Sequence, residues 1–457
     1  MKIVRIGAGQ GFYGDTPDGA VAVAERGDVA YICCDALAEL TMAILQKDRL
    51  RDPCGGFARD LPAFMRALLP VTADRGIRII TNAGGMNPVA AAAAVRQVAG
   101  DLGIDSLRVA TVTGDDITTR LDELRARGAE LRNMDTGADL ATIRDRAVFG
   151  VAYLGARPIV EALERGADVV VTGRVADASL FVAPMVHELG WGWDDWDRLA
   201  CGVVLGHLME CSGQATGGNF SGDWWNIPDL DRIGYPVCEV GEDGSALLTK
   251  PAQTGGRVSV ETVAEQLLYE VLDPHCYLNP DVVADFTSVR LEDAGEDSVS
   301  ISGVRGSTRP DQLKAVIGYL DGWLGTAMIG YSWPNALAKA RHAALLIDRL
   351  AERAGVVPME QVTEYIGVDS LHGDAADLDA AADANEVTLR IAGRFATEAE
   401  ARSFPRLVTP LALNGPPFIG GGSTPQPARA LLGVWPTLVP RGPIEDGVEV
   451  VVDEVVP

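Results

Sequence analysis

Residues 2–15 read KIVRIGAGQGFYGD, a short hydrophobic run followed at once by a glycine-rich loop. The run predicts a buried first strand, and residues 9–14 (GQGFYG) match the pattern G-x-G-x-x-G. A strand, a glycine-rich turn and then a helix is how dinucleotide-binding α/β domains begin. This stretch therefore indicates an α/β fold, and it raises the question of what the loop binds.

The residues around the loop argue against a dinucleotide. In such a site the third glycine lies inside the helix, but here residues 15–17 (DTP) follow Gly14, and proline is tolerated only in a first helical turn. Phe12-Tyr13 places two large rings where a pyrophosphate needs close approach. Asp35, near the end of the second predicted strand, favours a dinucleotide because a ribose-binding acid belongs there. We interpret the loop as part of a substrate pocket, with the aromatic pair as an apolar wall or lid.

Beyond the loop, short apolar runs alternate with helical patterns, which is typical of a parallel sheet covered by helices. We predict a doubly wound, mostly parallel sheet with Rossmann-like topology in residues 1–235. Residues 236–457 predict an α+β domain with an antiparallel or mixed sheet, and residues 210–229 predict an ordered functional loop at the junction. The strands predicted for the first domain are 2–7, 28–34, 77–82, 107–113, 148–154 and 168–173, and the helices are 17–26, 36–50, 58–75, 87–101, 117–127, 157–165 and 176–189.

The composition narrows the class of protein. Of the 457 residues, 47% are hydrophobic and 23% are charged, which is ordinary for a globular enzyme. The net charge of -25 argues against sequence-independent binding to nucleic acid and against association with anionic membranes. No apolar run reaches the roughly 18 residues of a membrane span, and no signal-peptide pattern is present, so we expect a cytoplasmic protein. The seven cysteines lack CxxC spacing, which favours free thiols in a reducing compartment.

Polar residues follow several predicted strands, and the carboxyl ends of parallel strands meet at one edge of a sheet. Asp35, Asp115, Asp116 and Asp177 on that edge would repel one another, so at least one is expected to have a raised pKa suited to proton transfer. Capping of the following helices is the alternative role for these acids. Arg174 ends the last strand before a helix, which makes it the predicted anion anchor. A salt bridge from Arg174 to Asp177 or Asp35 is the alternative.

His207 and Glu210 are three residues apart on one predicted helix face, so they could share a proton or a metal ion. A single H-x-x-E is a weak metal signal, and no metal site is predicted. Glu210 is a candidate general base. The alternative is that Glu210 is a helix-terminal residue with no catalytic role. Cys211 is a weaker candidate, a nucleophile only with His207 close by.

The glycine-rich turns supply backbone N–H groups. Gly84-Gly85 precede a helix that starts with proline, an arrangement that suits an anion, although the need for a tight turn also explains these glycines. The predicted catalytic residues are Asp35, Asp177, His207 and Glu210, and the predicted substrate-binding residues are Gly9, Gly11, Asn82, Gly84, Gly85, Asp116, Arg174, Gly217, Gly218 and Asn219.

Several stretches together resemble one family. They include RIGAGQGFYGDTPDGA (5–20), TNAGGMNP (81–88), VTGRVADASLF (171–181), ECSGQATGGNF (210–220) and RGSTRPDQLKAVIGYLDGW (305–323). The chain resembles the acyclic terpene utilisation (AtuA-type) family from its first strand to about residue 422. The resemblance implies catabolism of branched acyclic terpenoids through CoA thioesters, and it supplies no catalytic residues. Longer members carry a further C-terminal portion with an ARSGDKG-like motif, so a separate small subunit would supply it or this branch works without it.

We therefore predict a catabolic enzyme acting on a branched carboxylic acid or its CoA thioester, as a lyase or a hydratase/dehydratase. The alternatives are a non-catalytic accessory or scaffold subunit of an acyl-CoA carboxylase assembly and an NAD(P)-dependent oxidoreductase. No cofactor is predicted, and CoA would enter only as part of the substrate. An aspartate-rich rim could bind a divalent metal through waters, but no motif supports one. The expected partners are a small-molecule substrate and further copies of the chain.

Overall fold

The computed structural model describes residues 2–421 and 426–454. The chain forms two compact units, one made of Met1–Gly318 with Val434–Pro457 and the other of Tyr319–Gly433. Position 235, where we placed the domain boundary, lies inside the first unit. In the described ranges, no helix is long and apolar enough to cross a membrane.

The strands and helices are numbered in chain order. The strands are β1 (Ile3–Gln10), β2 (Tyr31–Cys34), β3 (Arg78–Thr81), β4 (Arg108–Thr113), β5 (Ala147–Ala152), β6 (Val169–Thr172), β7 (Val237–Gly241), β8 (Ala246–Thr249), β9 (Tyr277–Asn279), β10 (Val282–Asp285), β11 (Arg290–Gly295), β12 (Ser298–Ser302), β13 (Arg305–Ser307), β14 (Gln312–Ser332), β15 (Glu360–Ile366), β16 (Glu386–Phe395), β17 (Ile419–Gly420), β18 (Arg429–Pro440) and β19 (Glu449–Glu454). The helices are α1 (Pro17–Arg26), α2 (Glu39–Arg51), α3 (Leu61–Arg75), α4 (Pro88–Asp101), α5 (Leu121–Ala126), α6 (Arg157–Glu164), α7 (Ser179–Leu189), α8 (Trp196–Met209), α9 (Val260–Leu268), α10 (Ala336–Ala354), α11 (Glu398–Ser403), α12 (Leu411–Asn414) and α13 (Arg441–Glu445).

Local chemistry explains where the helices nearest the first loops begin. Pro17 occupies the first turn of α1, where its missing N–H is not needed, and Thr16 Oγ1 accepts a hydrogen bond from Asp18 N at 3.3 Å. Pro88 starts α4 in the same way, and Asn87 Oδ1 accepts from the N–H of Ala90. Both glycine-rich loops therefore run directly into capped helices.

In the described part of the first unit, ten strands form one mixed sheet in the order β11-β12-β8-β7-β1-β2-β3-β6-β4-β19. The neighbours β1, β2, β3, β6 and β4 are parallel. The strands β7, β8, β12, β11 and β19 join this sheet antiparallel. The predicted doubly wound, mostly parallel sheet with Rossmann-like topology is therefore wrong, because half of the sheet is antiparallel, although the class is mixed α/β.

The misassigned strands have a physical explanation. Residues 237–241, placed by the prediction in a second domain, pair antiparallel with residues 3–7 and cover the edge of β1. Likewise β5, predicted for the parallel sheet, pairs with β14 instead. Hydrophobic periodicity identifies a buried strand, but it does not identify the strand beside it, because any strand with a matching buried face can pair there.

The second unit has its own core. Its strands run in the order β15-β16-β14-β17 and are antiparallel to their neighbours. Small and branched residues of α10, including Ala340, Ala343 and Ile347, are buried in a cluster with Leu389 and Ile391 of β16. None of the described residues of this unit lines the cavity described next.

Candidate functional site

A cavity of about 640 Å³ lies in the first unit at the carboxyl ends of its parallel strands. It is lined by the loops that follow β1, β2 and β6, by the end of α8, by the segment between α9 and β9, and by β14. The four residues predicted as catalytic all contribute to this lining. They are Asp35, Asp177, His207 and Glu210.

Backbone N–H groups of the first loop donate hydrogen bonds to carboxylates of the protein itself. Asp15 Oδ2 accepts a hydrogen bond from Gly11 N at 3.1 Å, and Asp60 Oδ2 accepts one from Gly14 N at 2.9 Å. A pyrophosphate would need these donors, and it would meet two negative charges in their place. The loop therefore lacks the hydrogen-bonding arrangement of a dinucleotide site.

Close packing explains the glycine at position 11. A Cβ atom there would overlap the backbone N and the Oγ of Ser212, and Ser212 itself has a left-handed backbone (φ 50°). Gly11 and Phe12 both line the cavity, and the Phe12 ring is exposed. Phe12 thus lies where an apolar wall was predicted, whereas Tyr13 is not part of the lining.

Arg174 is buried in the wall of the cavity. Its Nη1 lies 2.7 Å from Asp177 Oδ1 and donates to the carbonyl oxygen of Leu37 at 3.1 Å. The guanidinium carbon lies 4.3 Å from the centre of the Tyr153 ring, a cation–π distance. Among the described residues, Nε of Arg174 has no hydrogen-bond partner. A buried donor without a partner is costly, so this atom is suited to an acceptor on a ligand.

Asp35 and Asn82 form a buried, hydrogen-bonded pair. Asn82 Nδ2 donates to Asp35 Oδ1 at 2.6 Å, and Asn82 Oδ1 accepts from Ala36 N at 2.7 Å. Burial raises the pKa of Asp35 well above its usual range, and the nearby charge of Asp177 raises it further. Burial also raises the pKa of Asp177, against the opposing effect of Arg174. The predicted raised pKa on this edge therefore applies to both acids.

His207 and Glu210 are in contact at the end of α8. His207 Nδ1 lies 3.0 Å from Glu210 Oε1, and His207 Nε2 lies 3.0 Å from the carbonyl oxygen of Gln266. Burial lowers the pKa of His207 to about 4. Burial, followed by the charges of Asp177 and Glu270, raises the pKa of Glu210 well above its usual range. In the described ranges, Glu210 Oε2 has no hydrogen-bond partner.

A second polar cluster in the lining was missed by the sequence analysis. Glu39 Oε1 accepts hydrogen bonds from the Tyr153 hydroxyl at 2.7 Å and from Lys314 Nζ at 3.0 Å. Burial opposes ionisation of Glu39, but these two donors outweigh it and lower its pKa to about 2. The backbone N–H of Tyr153 donates to the carbonyl of Lys314, which brings distant segments together. The scarcity of lysine was the one signal that could have singled out Lys314.

Other predicted substrate-binding residues lie outside the lining. Asp116 caps the turn at Thr118 and pairs with Arg49 at 3.1 Å, in keeping with the capping alternative. The N–H groups of Gly85 and Asn87 donate to backbone carbonyls within their own turn. The predicted residues outside the lining are Gly9, Asn82, Gly84, Gly85, Asp116, Gly217, Gly218 and Asn219.

Two further chemistries find no support in the site. Burial and the neighbouring Glu210 raise the pKa of the Cys211 thiol, which disfavours the thiolate that a nucleophile needs. Among the residues that the structure describes, no three His, Cys, Asp or Glu side chains are arranged to hold a metal ion.

Fold and site together define a mixed α/β protein with a cavity lined by buried ionisable side chains. The model of the acyclic terpene utilisation family protein AtuA matches residues 4–450, nearly the whole chain. The chain belongs to this family, which is involved in acyclic terpene utilisation, consistent with a catabolic role. No curated protein and no solved structure matches the chain.

Proposed function

We propose that this protein is a catabolic enzyme acting on a branched carboxylic acid or its CoA thioester, as a lyase or a hydratase/dehydratase. One observation carries the proposal. Glu210, whose carboxyl group is hydrogen-bonded to His207, and Arg174, whose Nε has no partner among the described residues, line the same cavity. Reactions of this kind need a group that moves a proton and an anchor for the carbonyl or carboxylate oxygen.

Each polar group has a distinct role in this proposal. Arg174 binds the carboxylate or thioester oxygen through Nε and stabilises the negative charge that develops there. Glu210 takes a proton from the substrate on Oε2 while Oε1 passes one to His207 Nδ1. Asp35 and Asp177, whose raised pKa values favour the protonated form, are candidate proton donors to a leaving group. Such proton transfer needs no redox cofactor.

The rest of the lining supports a branched apolar chain on the substrate. Phe12, Tyr269, Leu272 and Leu278 all line the cavity and are all exposed to solvent. Large apolar side chains grouped around a polar cavity are typical of ligand sites, because a ligand removes them from water. The branched chain of the substrate would lie against these four side chains.

Shifts in melting temperature across a ligand panel test the proposal, because a ligand that binds the native state raises its stability. The panel holds branched acids, their CoA thioesters, NAD(P) and divalent metals. We expect acids or thioesters to stabilise the wild-type protein and Arg66→Ala, whose arginine is exposed and outside the cavity lining, but not Arg174→Ala. A shift with NAD(P) alone would contradict the proposal. Stabilisation by no ligand, with stable co-purification of a partner, would favour an accessory subunit.

A further inference from the structure

The hydrogen bonds of His207 determine which of its two ring nitrogens carries a hydrogen. The carbonyl oxygen of Gln266 can only accept, so His207 Nε2, 3.0 Å away, must carry a hydrogen and donate it. Gln266 Nε2 in turn donates to the carbonyl oxygen of His207 at 2.9 Å. These two reciprocal bonds join α8 to α9 and hold the imidazole in one orientation. Nδ1 is left to face Glu210.

The second proton of the pair belongs to Glu210. Both side chains are buried, and burial disfavours a separated imidazolium and carboxylate. The pKa of His207 is lowered and that of Glu210 is raised, so the neutral pair is favoured. A neutral imidazole with a hydrogen on Nε2 has a lone pair on Nδ1, and Glu210 Oε1 at 3.0 Å must then donate to it.

The proton on Oε1 determines what the pair offers to a ligand. With Oε1 donating to His207, Glu210 Oε2 is the carbonyl-type oxygen of a carboxylic acid and can only accept. Arg174 Nε can only donate. Both atoms are buried, both belong to residues of the cavity lining, and neither has a partner among the described residues. The site therefore offers a ligand one hydrogen-bond acceptor and one hydrogen-bond donor.

We infer that the ligand is a hydroxy acid or a hydroxyacyl thioester, whose hydroxyl donates to Glu210 Oε2 and whose carboxylate or carbonyl oxygen accepts from Arg174 Nε. This inference rests on the proposed function and names its substrate class. A saturated or unsaturated acid without the hydroxyl leaves Oε2 buried and unpaired. Leaving a buried polar atom unpaired weakens binding by about a factor of ten or more.

Isothermal titration calorimetry on the full chain with two matched acids tests the inference. Isovalerate and β-hydroxyisovalerate share one branched skeleton and differ by the hydroxyl alone, and their CoA thioesters form a second matched pair. We expect the hydroxylated member of at least one pair to bind about tenfold more tightly or better. Equal affinity within each pair that binds would overturn the inference and leave the proposed function standing. Binding of none of the four would overturn the proposed function and the inference with it.

Two variants at position 210 test whether the Glu210 side chain is a protonated carboxyl group or a carboxylate. In Glu210→Gln the amide NH₂ donates to His207 Nδ1 and its oxygen replaces Oε2, so we expect the preference for the hydroxylated ligand to persist. In Glu210→Leu the acceptor is absent, and the affinity ratio should fall to about one. Loss of the preference in Glu210→Gln, with the wild-type melting temperature retained, would overturn the assignment of the proton.

Discussion

At the scale of single residues, the proposed chemistry depends on a proton shared by His207 and Glu210. The two side chains are held by bonds that leave each of their polar atoms, except Glu210 Oε2, with a defined partner. Because Gln266 accepts from Nε2 through its backbone, side-chain substitutions there leave the acceptor in place. The pair is therefore set to receive a proton at one atom, Oε2.

The tautomer of His207 can be observed without a substrate. We expect nitrogen NMR of histidine-labelled protein to show a hydrogen on Nε2 and a lone pair on Nδ1 near neutral pH. The reason is that Gln266 accepts from Nε2 and burial keeps the ring neutral. His207→Gln assigns the signal among the five histidines of the chain. A doubly protonated ring, or a hydrogen on Nδ1, would contradict the account.

Sequence reasoning singled out residues that the structure places in the cavity lining, because the patterns that point to them are local. The spacing of His207 and Glu210 places both on one helix face, and Arg174 follows a strand that is buried throughout. Glu39 and Lys314 were missed for the opposite reason. In the sequence, each resembles a charged residue on a solvated surface. The hydrogen bond between them joins segments 275 residues apart.

At the scale of elements, the first loop and the segment after α8 pack against each other. Asp15 links them, since it accepts hydrogen bonds from Gly11 N at 3.1 Å, from the Tyr235 hydroxyl at 2.6 Å and from Ser212 Oγ. Glycine at position 11 is what allows the two backbones to approach. Glu210 lies two residues before Ser212, so this contact also positions the acid.

We expect Gly11→Ala to lower the free energy of unfolding by about 1–3 kcal/mol, because the added methyl overlaps Ser212. It should also weaken ligand binding, since residues 211–212 must move. The matched control is Gly100→Ala in α4, where a methyl group meets nothing within 4 Å. That variant should be about 0.5–1 kcal/mol more stable than the wild type, since alanine favours helix. Urea unfolding checks both, and equal effects of the two substitutions would contradict the packing argument.

The elements themselves were predictable, but their partners were not. The predicted helix at residues 17–26 has the bounds of α1, and the predicted strand 107–113 contains β4. Hydrophobic periodicity and helix-end signals such as Pro17 depend only on neighbouring residues, so they predict an element without reference to what it packs against. The prediction of a Rossmann-like sheet was wrong because β7 and β19, which are distant in sequence, pair antiparallel with β1 and β4. No local pattern records that pairing.

At the scale of the whole molecule, buried carboxyl groups make stability depend on pH. Asp115 is buried at the end of β4, where its Oδ2 accepts from Arg174 N at 2.6 Å. Burial, with a smaller contribution from the charge of Asp116, raises its pKa to about 7. In the unfolded chain an aspartate loses its proton near pH 3.9. Between these values the unfolded state is ionised and the folded state is not, so stability falls as pH rises.

We expect Asp115→Asn to remove this part of the pH dependence. Between about pH 4 and pH 7 the wild-type free energy of unfolding should fall by roughly 4 kcal/mol more than that of the variant. Urea unfolding at a series of pH values measures the difference. Asp105→Asn, at an exposed position, should follow the wild type. Parallel curves for the wild type and Asp115→Asn would show that Asp115 does not titrate in this window.

In the proposed mechanism, one cavity of the molecule binds a branched acid through Arg174 and moves a proton through Glu210. The most direct measurement is a proton NMR time course of the protein with β-hydroxyisovaleryl-CoA and with the free acid. We predict that the wild type consumes at least one of them, by loss of water or by cleavage of a carbon–carbon bond. Glu210→Gln and Arg174→Ala should be slower by about a hundredfold or more. Conversion by these variants at the wild-type rate, or no conversion by the wild type, would contradict the account.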